Sequence, residues 1–261
     1  MELPELQGQV LVIVSHYDAR PAQPLVDLLD GLRRVPAGWP FAVRVVVNQA
    51  GERPTDAAAL SGCEVLHRPN AGYNLGAWEH GWRATPAYGA YLFLQDECTV
   101  RRPGWLGALV RAAAEPGVGL VGERISPPWD AAWSVLERRF RGHMLPEHEI
   151  DGRPAERLAC YRDFFARHGI DAGQRGDHLQ SLVWFARREV LAAIGGFPPA
   201  RNYGEAIAAE IGTSKLVQAH GWSIRQAAER PFHWFSHPQW EERAAQHAKM
   251  EWSSKTARQE G

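Results

Sequence analysis

The sequence predicts an α/β fold, a mostly parallel sheet flanked by helices. Three observations predict it. Short β-branched runs read as strands buried on both faces, amphipathic runs lie between them, and the two kinds alternate from the N-terminal end onward. Such alternation implies right-handed βαβ crossovers.

The elements follow in order. QVLVIVS at 9–15 is a nearly unbroken apolar run, the pattern of a central strand. QPLVDLLDGLRR at 23–34 sets Leu25, Leu28, Leu29 and Leu32 on one helix face. FAVRVVVN at 41–48 is a second buried strand and CEVLHR at 63–68 a shorter third. NLGAWEHGWRA at 74–84 reads as a helix and AYLFLQ at 90–95 as the fourth strand. GWLGALVRAAAE at 104–115 is a helix, with VGLVGE at 118–123 the next strand. From 126 the pattern changes: PPWDAAWSVLERRFRG and RPAERLACYRDFFARHG read as two helices joined by loops rich in Pro, Gly and charge. Residues 126–180 are therefore expected to form a helical insertion or lid. SLVWFARREVLAAIGGF at 181–197 is a strand feeding a short helix with a Gly terminator, and IAAEIGTSKLVQAHGW at 207–222 a helix closed at Gly221. One domain over 1–230 is expected, with 231–261 forming a C-terminal loop and final helix.

Composition bounds the function. With 29 basic and 30 acidic residues the net charge is −1, which argues against nucleic acid as a partner, and the basic cluster RRFR at 138–141 is brief. Cys63, Cys98 and Cys160 form no CxxC pair, so free thiols in a reducing compartment are expected. The opening MELPELQGQ is polar and acidic, without the pattern of a signal peptide. No apolar run approaches the roughly 18–20 residues that span a bilayer. A cytoplasmic protein without a transmembrane segment is expected, with peripheral membrane contact left open.

Parallel sheets bind ligands beyond the carboxyl ends of their strands. There Ser15, His16, Tyr17 and Asp18 should converge with Asn48, with Arg68 and Asn70, and with Gln95, Asp96 and Glu97. The run AYLFLQDECTV ends its apolar stretch in two adjacent carboxylates, which repel each other. A solvated acidic pair is one reading. The other is a pair of hard oxygen ligands for Mg2+ or Mn2+, whose charge removes the repulsion and leaves positions for phosphate oxygens and water.

Five pieces in order carry a resemblance: VLVIVSHYD, RPNAGYNLGAW, LFLQDEC, AAIGGF and AEIGTSKLVQAHGW, together spanning most of the chain. In them the chain resembles glycosyltransferase family 2, of the GT-A fold, and NAGYNLGAW is similar to rhamnosyltransferase-like members. The resemblance implies a hexosyltransferase-type enzyme acting in polysaccharide biosynthesis. It would move a sugar from a nucleotide-diphosphate sugar to a glycan or other hydroxyl acceptor, with a divalent cation and inversion. The family usually carries Asp-x-Asp where this chain reads Asp96-Glu97-Cys98. Either Glu97 takes the usual ligand place with Gln95 in the other, or Asp96 binds the metal directly. The family's Glu-Asp pair, counted back from Gly221, falls on Ala209 and Glu210, so the carboxylate survives one methylene longer.

On that resemblance Glu210 is the candidate base for the acceptor hydroxyl, against a solvated helix residue. Asn48 would pair with the edge of a uracil or thymine base or form an Asx turn. Ser15, His16, Tyr17 and Asp18 would flank the nucleoside, and Arg68 and Asn70 would meet phosphate or sugar hydroxyls. Asn74 is a ligand contact or a helix N-cap. In resembling enzymes a late histidine completes the metal site, which offers His233 and His237 beside structural roles. Asp177 and His178 would meet the acceptor, and Trp129 and Trp133 would stack on it or serve packing. No Gly-rich phosphate loop or GxGxxG follows the first strand, where a nucleotidyltransferase or a dinucleotide dehydrogenase would carry it, and no GxSxG marks an elbow hydrolase, which excludes these three readings. The remaining alternative is a degenerate, non-catalytic sugar-, nucleotide- or partner-binding module of the same fold.

Overall fold

Strand β1 (Val10–Tyr17) takes an interior place in the sheet because it is apolar on both faces. Leu11 and Ile13 point into one core while Val10, Val12 and Val14 point into the other, as the two-residue period of a strand requires. The structure is a computed structural model that describes residues 8–51, 60, 62–85 and 87–239.

Helix α1 (Gln23–Arg34) buries the predicted leucine stripe, with Pro24 in its first turn and Arg33 and Arg34 in its last. Strands β2 (Phe41–Gln49) and β3 (Glu64–Pro69) follow. Helix α2 (Tyr73–Arg83) starts from Gly72 in the left-handed region, φ 72°, so Asn74 is a helix residue and the N-cap expected there is Gly72 instead. Strand β4 (Ala90–Gln95) leads through the short β5 (Thr99–Val100) to α3 (Trp105–Ala114) and β6 (Val118–Gly122).

The segment between β6 and the next sheet strand differs from the expected helix pair. A 3-10 turn at Pro127–Trp129 precedes a seven-residue α4 (Trp133–Arg139). A hairpin of β7 (Met144–Ile150) and β8 (Arg153–Glu156) then stands before α5 (Arg157–Arg167). Asp151 and Gly152 both have positive φ, 49° and 73°, and Ile150 faces Arg153 across them. That is the two-residue turn whose twist matches a hairpin, and Asp-Gly is its usual sequence. The second expected helix therefore begins four residues late, because 153–156 are paired in a strand.

Strand β9 (Val183–Arg187) runs into α6 (Arg188–Ala193), and α7 (Tyr203–Ala219) starts four residues before the predicted point. The reason is its cap: the Asn202 side chain accepts from the Glu205 backbone N–H. Strands β10 (Ser223–Gln226) and β11 (Phe235–Ser236) complete the described chain, and the expected final helix lies outside the described residues.

Seven strands form one sheet in the order β10-β6-β9-β4-β1-β2-β3. Every pairing is parallel except those of β9, which runs against both β4 and β6. Helices α2, α6 and α7 cover one face through Trp78, Trp82, Leu191 and Ile211, and α1 and α3 cover the other. The β11 strand pairs antiparallel with β5, Phe235 opposite Val100, and Phe235 packs edge-on against Trp105 at 5.5 Å. This small second sheet ties the end of the described chain to the segment just beyond Asp96 and Glu97. Among the described residues no helix is long and apolar enough to cross a membrane.

Candidate active site

The carboxyl ends of the first four strands open into a cleft of about 550 Å³, the edge where open α/β sheets bind ligands. Ser15, His16 and Tyr17 come from β1, Asn48 from β2, and Asn70 from the turn after β3. Gln95, Asp96 and Glu97 come from the tip of β4, Asn74 from α2, Glu210 from α7 and His237 from the residue after β11. Residues at or just beyond the ends of all four strands thus line one cleft.

The two carboxylates at the tip of β4 are not left facing each other. Asp96 donates its backbone N–H to the Ser15 carbonyl, and its Oδ2 lies 2.5 Å from His16 Nδ1 in a buried pair. Glu97 Oε2 accepts from Arg20 at 2.9 Å and lies 3.8 Å from His237 Nε2. Each carboxylate has its own basic neighbour, which relieves their repulsion. Among the described residues no group of three or more His, Cys, Asp and Glu side chains forms a metal cage. A cation carried with a nucleotide needs fewer protein ligands, because phosphate oxygens and water complete its shell. Glu97 and His237, with Asp96 beside them, fit that smaller role, and their oxygen and imidazole donors suit Mn2+.

Glu210 sits in the body of α7 with its side chain only 19% exposed, which sets aside the solvated-helix reading. Its Oε2 accepts from both the backbone N–H and the hydroxyl of Ser181, at 2.7 and 2.6 Å. Its Oε1 lies 3.3 Å from His178 Nε2. Burial pushes the carboxyl up, but the bonds from His178 and Ser181 outweigh it and hold the group below the ordinary carboxylate value. Glu210 is therefore an ionised acceptor at neutral pH.

The cleft's amides brace one another. Asn48 sits within β2, not in an Asx turn; its Nδ2 donates to the Tyr73 carbonyl and its Oδ1 accepts from Arg68 at 2.7 Å. Asn74 Nδ2 and Gln95 Nε2 both donate to the Ser181 carbonyl, at 2.8 and 3.1 Å. Ser181 thereby links the strand end, α2 and Glu210.

Several expected residues fall outside the cleft lining. Asp18 turns to accept from the Ala50 N–H, bracing the loop after β2. Arg68 reaches the cleft only through Asn48 and spends its second bond on the Ala71 carbonyl. His233 donates its backbone N–H to Glu123 and packs on Trp234, so only His237 of the two histidines reaches the site. Trp133 donates to the Ala172 carbonyl. Asp177 binds Lys215 and Gln218 on α7, at 2.9 and 2.8 Å. Trp129 and His178 line a smaller adjoining cavity of about 110 Å³, which shares Glu210, Tyr203 and Leu182 with the main cleft.

Arg20, Ser181, Tyr203 and Tyr73 line the cleft without having been singled out in the sequence. Tyr73 and Tyr203 are exposed and meet edge-to-face at 6.0 Å. Tyr73 lies inside RPNAGYNLGAW, one of the stretches that carry the family resemblance. Tyr203 had no local signal.

No protein-family model matches the chain, and no curated protein matches it in sequence. Solved structures do. A mannosyltransferase from Pyrobaculum calidifontis, in complex with GDP-Man and Mn2+, superposes at a TM-score of 0.52 with 15% identity, over 83% of this chain and 54% of that one. A glucosyl-3-phosphoglycerate synthase from Mycobacterium tuberculosis, in complex with Mn2+, UDP and glucosyl-3-phosphoglycerate, gives 0.49 and 16%, over 88% and 71%. A CMP:2-keto-3-deoxy-manno-octonic acid synthetase complexed with CTP gives 0.47 and 14%, over 94% and 100%. The likeness to the mannosyltransferase is one of fold, and the chain spans about half that protein's length. The architecture is of the GT-A type, a mostly parallel seven-stranded sheet flanked by helices.

Proposed function

We propose that this protein is a glycosyltransferase that moves a sugar from a nucleotide-diphosphate sugar to a hydroxyl acceptor with inversion. The observation that carries the reading is the gathering of Glu97, His237 and Glu210 on the wall of one cleft at the carboxyl edge of the sheet. Ser15, His16, Tyr17, Asn48 and Asn70 form the part of the cleft suited to a nucleoside, through amide and ring contacts. Glu97 and His237, beside Asp96, would hold a divalent cation, Mn2+ or Mg2+, which when bound supplies positive charge against a departing diphosphate. Glu210, already ionised, accepts the proton of the acceptor hydroxyl. The acceptor oxygen bonds to the anomeric carbon, the carbon–oxygen bond to phosphate breaks, and its electron pair leaves with the nucleoside diphosphate. Attack from the face opposite the leaving group inverts the centre. Rhamnosyl transfer into a polysaccharide is one form of this reading.

The saturation of Glu210 by Ser181 and His178 favours a second reading, a binding module of the same fold without turnover. One titration separates the two. Nucleoside diphosphates such as UDP and GDP are added with and without Mn2+, and hydrolysis of the matching nucleotide sugar is followed in parallel. The transferase reading expects Mn2+ to tighten nucleotide binding and slow donor hydrolysis to appear. Glu210→Gln should spare donor binding and lower turnover by about 100-fold or more. Nucleotide affinity indifferent to Mn2+, together with no hydrolysis, would establish the binding module instead.

A further inference from the structure

The small cavity beside Glu210 contains a cation that the mechanism above does not use. Arg157, the first residue of α5, packs its guanidinium against the rings of Trp129 and Phe140, each 4.8 Å from the ring centre, and 5.8 Å from that of Tyr161. Its Nε donates to the Tyr161 hydroxyl at 3.0 Å. The aromatic faces hold the group by cation–π attraction. Among the described residues no carboxylate pairs with it. The planar end of the guanidinium is thus held in place on the wall of the cavity, with its terminal N–H groups unmatched by any acidic side chain.

A second group in the same cavity is unmatched. Gln180 is 8% exposed, and its Oε1 is buried with no hydrogen-bond partner. A buried polar atom left unpaired costs free energy, so such atoms mark places where a ligand or water bonds. His178 does not compete for that role. Its Nδ1 lies 2.8 Å from the Gly176 carbonyl and its Nε2 faces Glu210.

We infer that this cavity is the acceptor subsite for a small hydroxylated anion, whose carboxylate or phosphate is held by Arg157 while a hydroxyl meets Glu210. The inference rests on the transferase reading for the word acceptor, not for the binding itself. The forked donors of arginine match the two oxygens of a carboxylate or phosphate. Gln180 then accepts from a second hydroxyl of the same molecule. A neutral sugar in this place would cover a guanidinium without supplying a counter-charge, which is costly. The volume, about 110 Å³ against about 550 Å³ for the cleft, suits a compact acid rather than a long neutral glycan. Preordering of the guanidinium between rings lowers the entropy lost on binding.

The test is calorimetric titration of the full chain with matched probes. Glycerate and glucuronate serve as carboxylates, glycerol phosphate as the phosphate, and glycerol and glucose as neutral counterparts. At least one anion class should bind about tenfold or more tighter than its neutral counterpart, and the class that does so identifies the acidic group. Arg157→Gln should erase that preference, and Arg157→Lys should keep part of it. Neither class outbinding its neutral counterpart would overturn the inference, as would a folded Arg157→Gln protein with the preference intact. Should Arg157→Gln not fold, the wild-type preference and Arg157→Lys decide the matter. Nucleoside diphosphate is titrated into the same samples. An Arg157-dependent anion preference without nucleotide binding upholds the subsite and removes the donor reading. Nucleotide binding without an anion preference does the reverse.

Discussion

At the scale of single residues, charge placement governs what the cleft can do. Glu97 and His237 stand 3.8 Å apart, close enough to share one ion, while Asp96 is engaged with His16. Replacing Glu97 by Gln, or His237 by Ala, should reduce the Mn2+-dependent gain in nucleotide affinity by about tenfold, read as binding constants with and without Mn2+. A second acid acts on the loop that delivers His237. Glu123 is buried, and its two oxygens accept from the backbone N–H groups of His233, Trp234 and Phe235. Burial pushes its carboxyl up to about 7 from the ordinary 4.5, against the pull of those bonds and of Arg101. The fold retains a proton there that the unfolded chain has lost. The stabilisation is present in full below the unfolded value and disappears as pH rises through about 7, a change of roughly 3 kcal/mol. Thermal midpoints should therefore fall between about pH 5 and pH 7.5, and Glu123→Gln should flatten that slope. An unchanged slope in the variant would assign the titration to another group.

At the scale of elements, two helices set the walls of the site, and each depends on one local device. Helix α7 carries Glu210 and begins at a cap in which Asn202 accepts from the Glu205 N–H at 2.9 Å. Asn202→Ala should cost about 1 kcal/mol of stability, read from denaturant midpoints with the slope unchanged. Helix α2 carries Asn74 and crosses the sheet at Gly81, where a Cβ would meet Ile13 Cγ2 at 2.8 Å and Val46 Cγ2 at 3.0 Å. Both neighbours are fully buried, so neither can yield freely. Gly81→Ala gains about 1 kcal/mol of helix propensity but overpacks a closed core, at a cost of roughly 1–3 kcal/mol. A net loss is expected, and a stabilised Gly81→Ala protein would show that the sheet gives way. At this scale the sequence was legible wherever one residue pattern controlled the element. The leucine stripe of α1 and the unbroken apolar runs of β1 and β4 have a single reading. The β7–β8 hairpin escaped because PEHEI lacks apolar alternation, although the Asp151-Gly152 turn beside it carries its own signal. The early start of α7 escaped because Asn202 lies outside the apolar period, and a cap is recognised by a hydrogen bond rather than by hydropathy.

At the scale of the whole molecule, the site is closed by a segment far from it in sequence. Phe235 is fully buried against Trp105, and its pairing with Val100 places His237 beside the tip of β4. Phe235→Ala should cost about 3–5 kcal/mol and weaken Mn2+-dependent nucleotide binding together with stability, whereas Glu97→Gln should weaken binding alone. Separation of those two effects, measured by thermal unfolding and nucleotide titration, tests whether packing at Trp105 positions the histidine. The sequence by itself determined the alternation of strands and helices, the parallel core of the sheet and the polar ends of its strands. Those follow from hydrophobic period and chain direction, which are local properties. Only the tertiary structure decided that β9 runs antiparallel, because its direction depends on the path of the segment before it. Only the tertiary structure likewise gave Asp96 to His16 and Glu97 to Arg20 and His237, left Asp18 and His233 outside the cleft, and set Arg157 beside Glu210. Contacts of that kind join residues up to about 140 positions apart, and no local pattern records them, since which side chains meet is set by how the packed layers close.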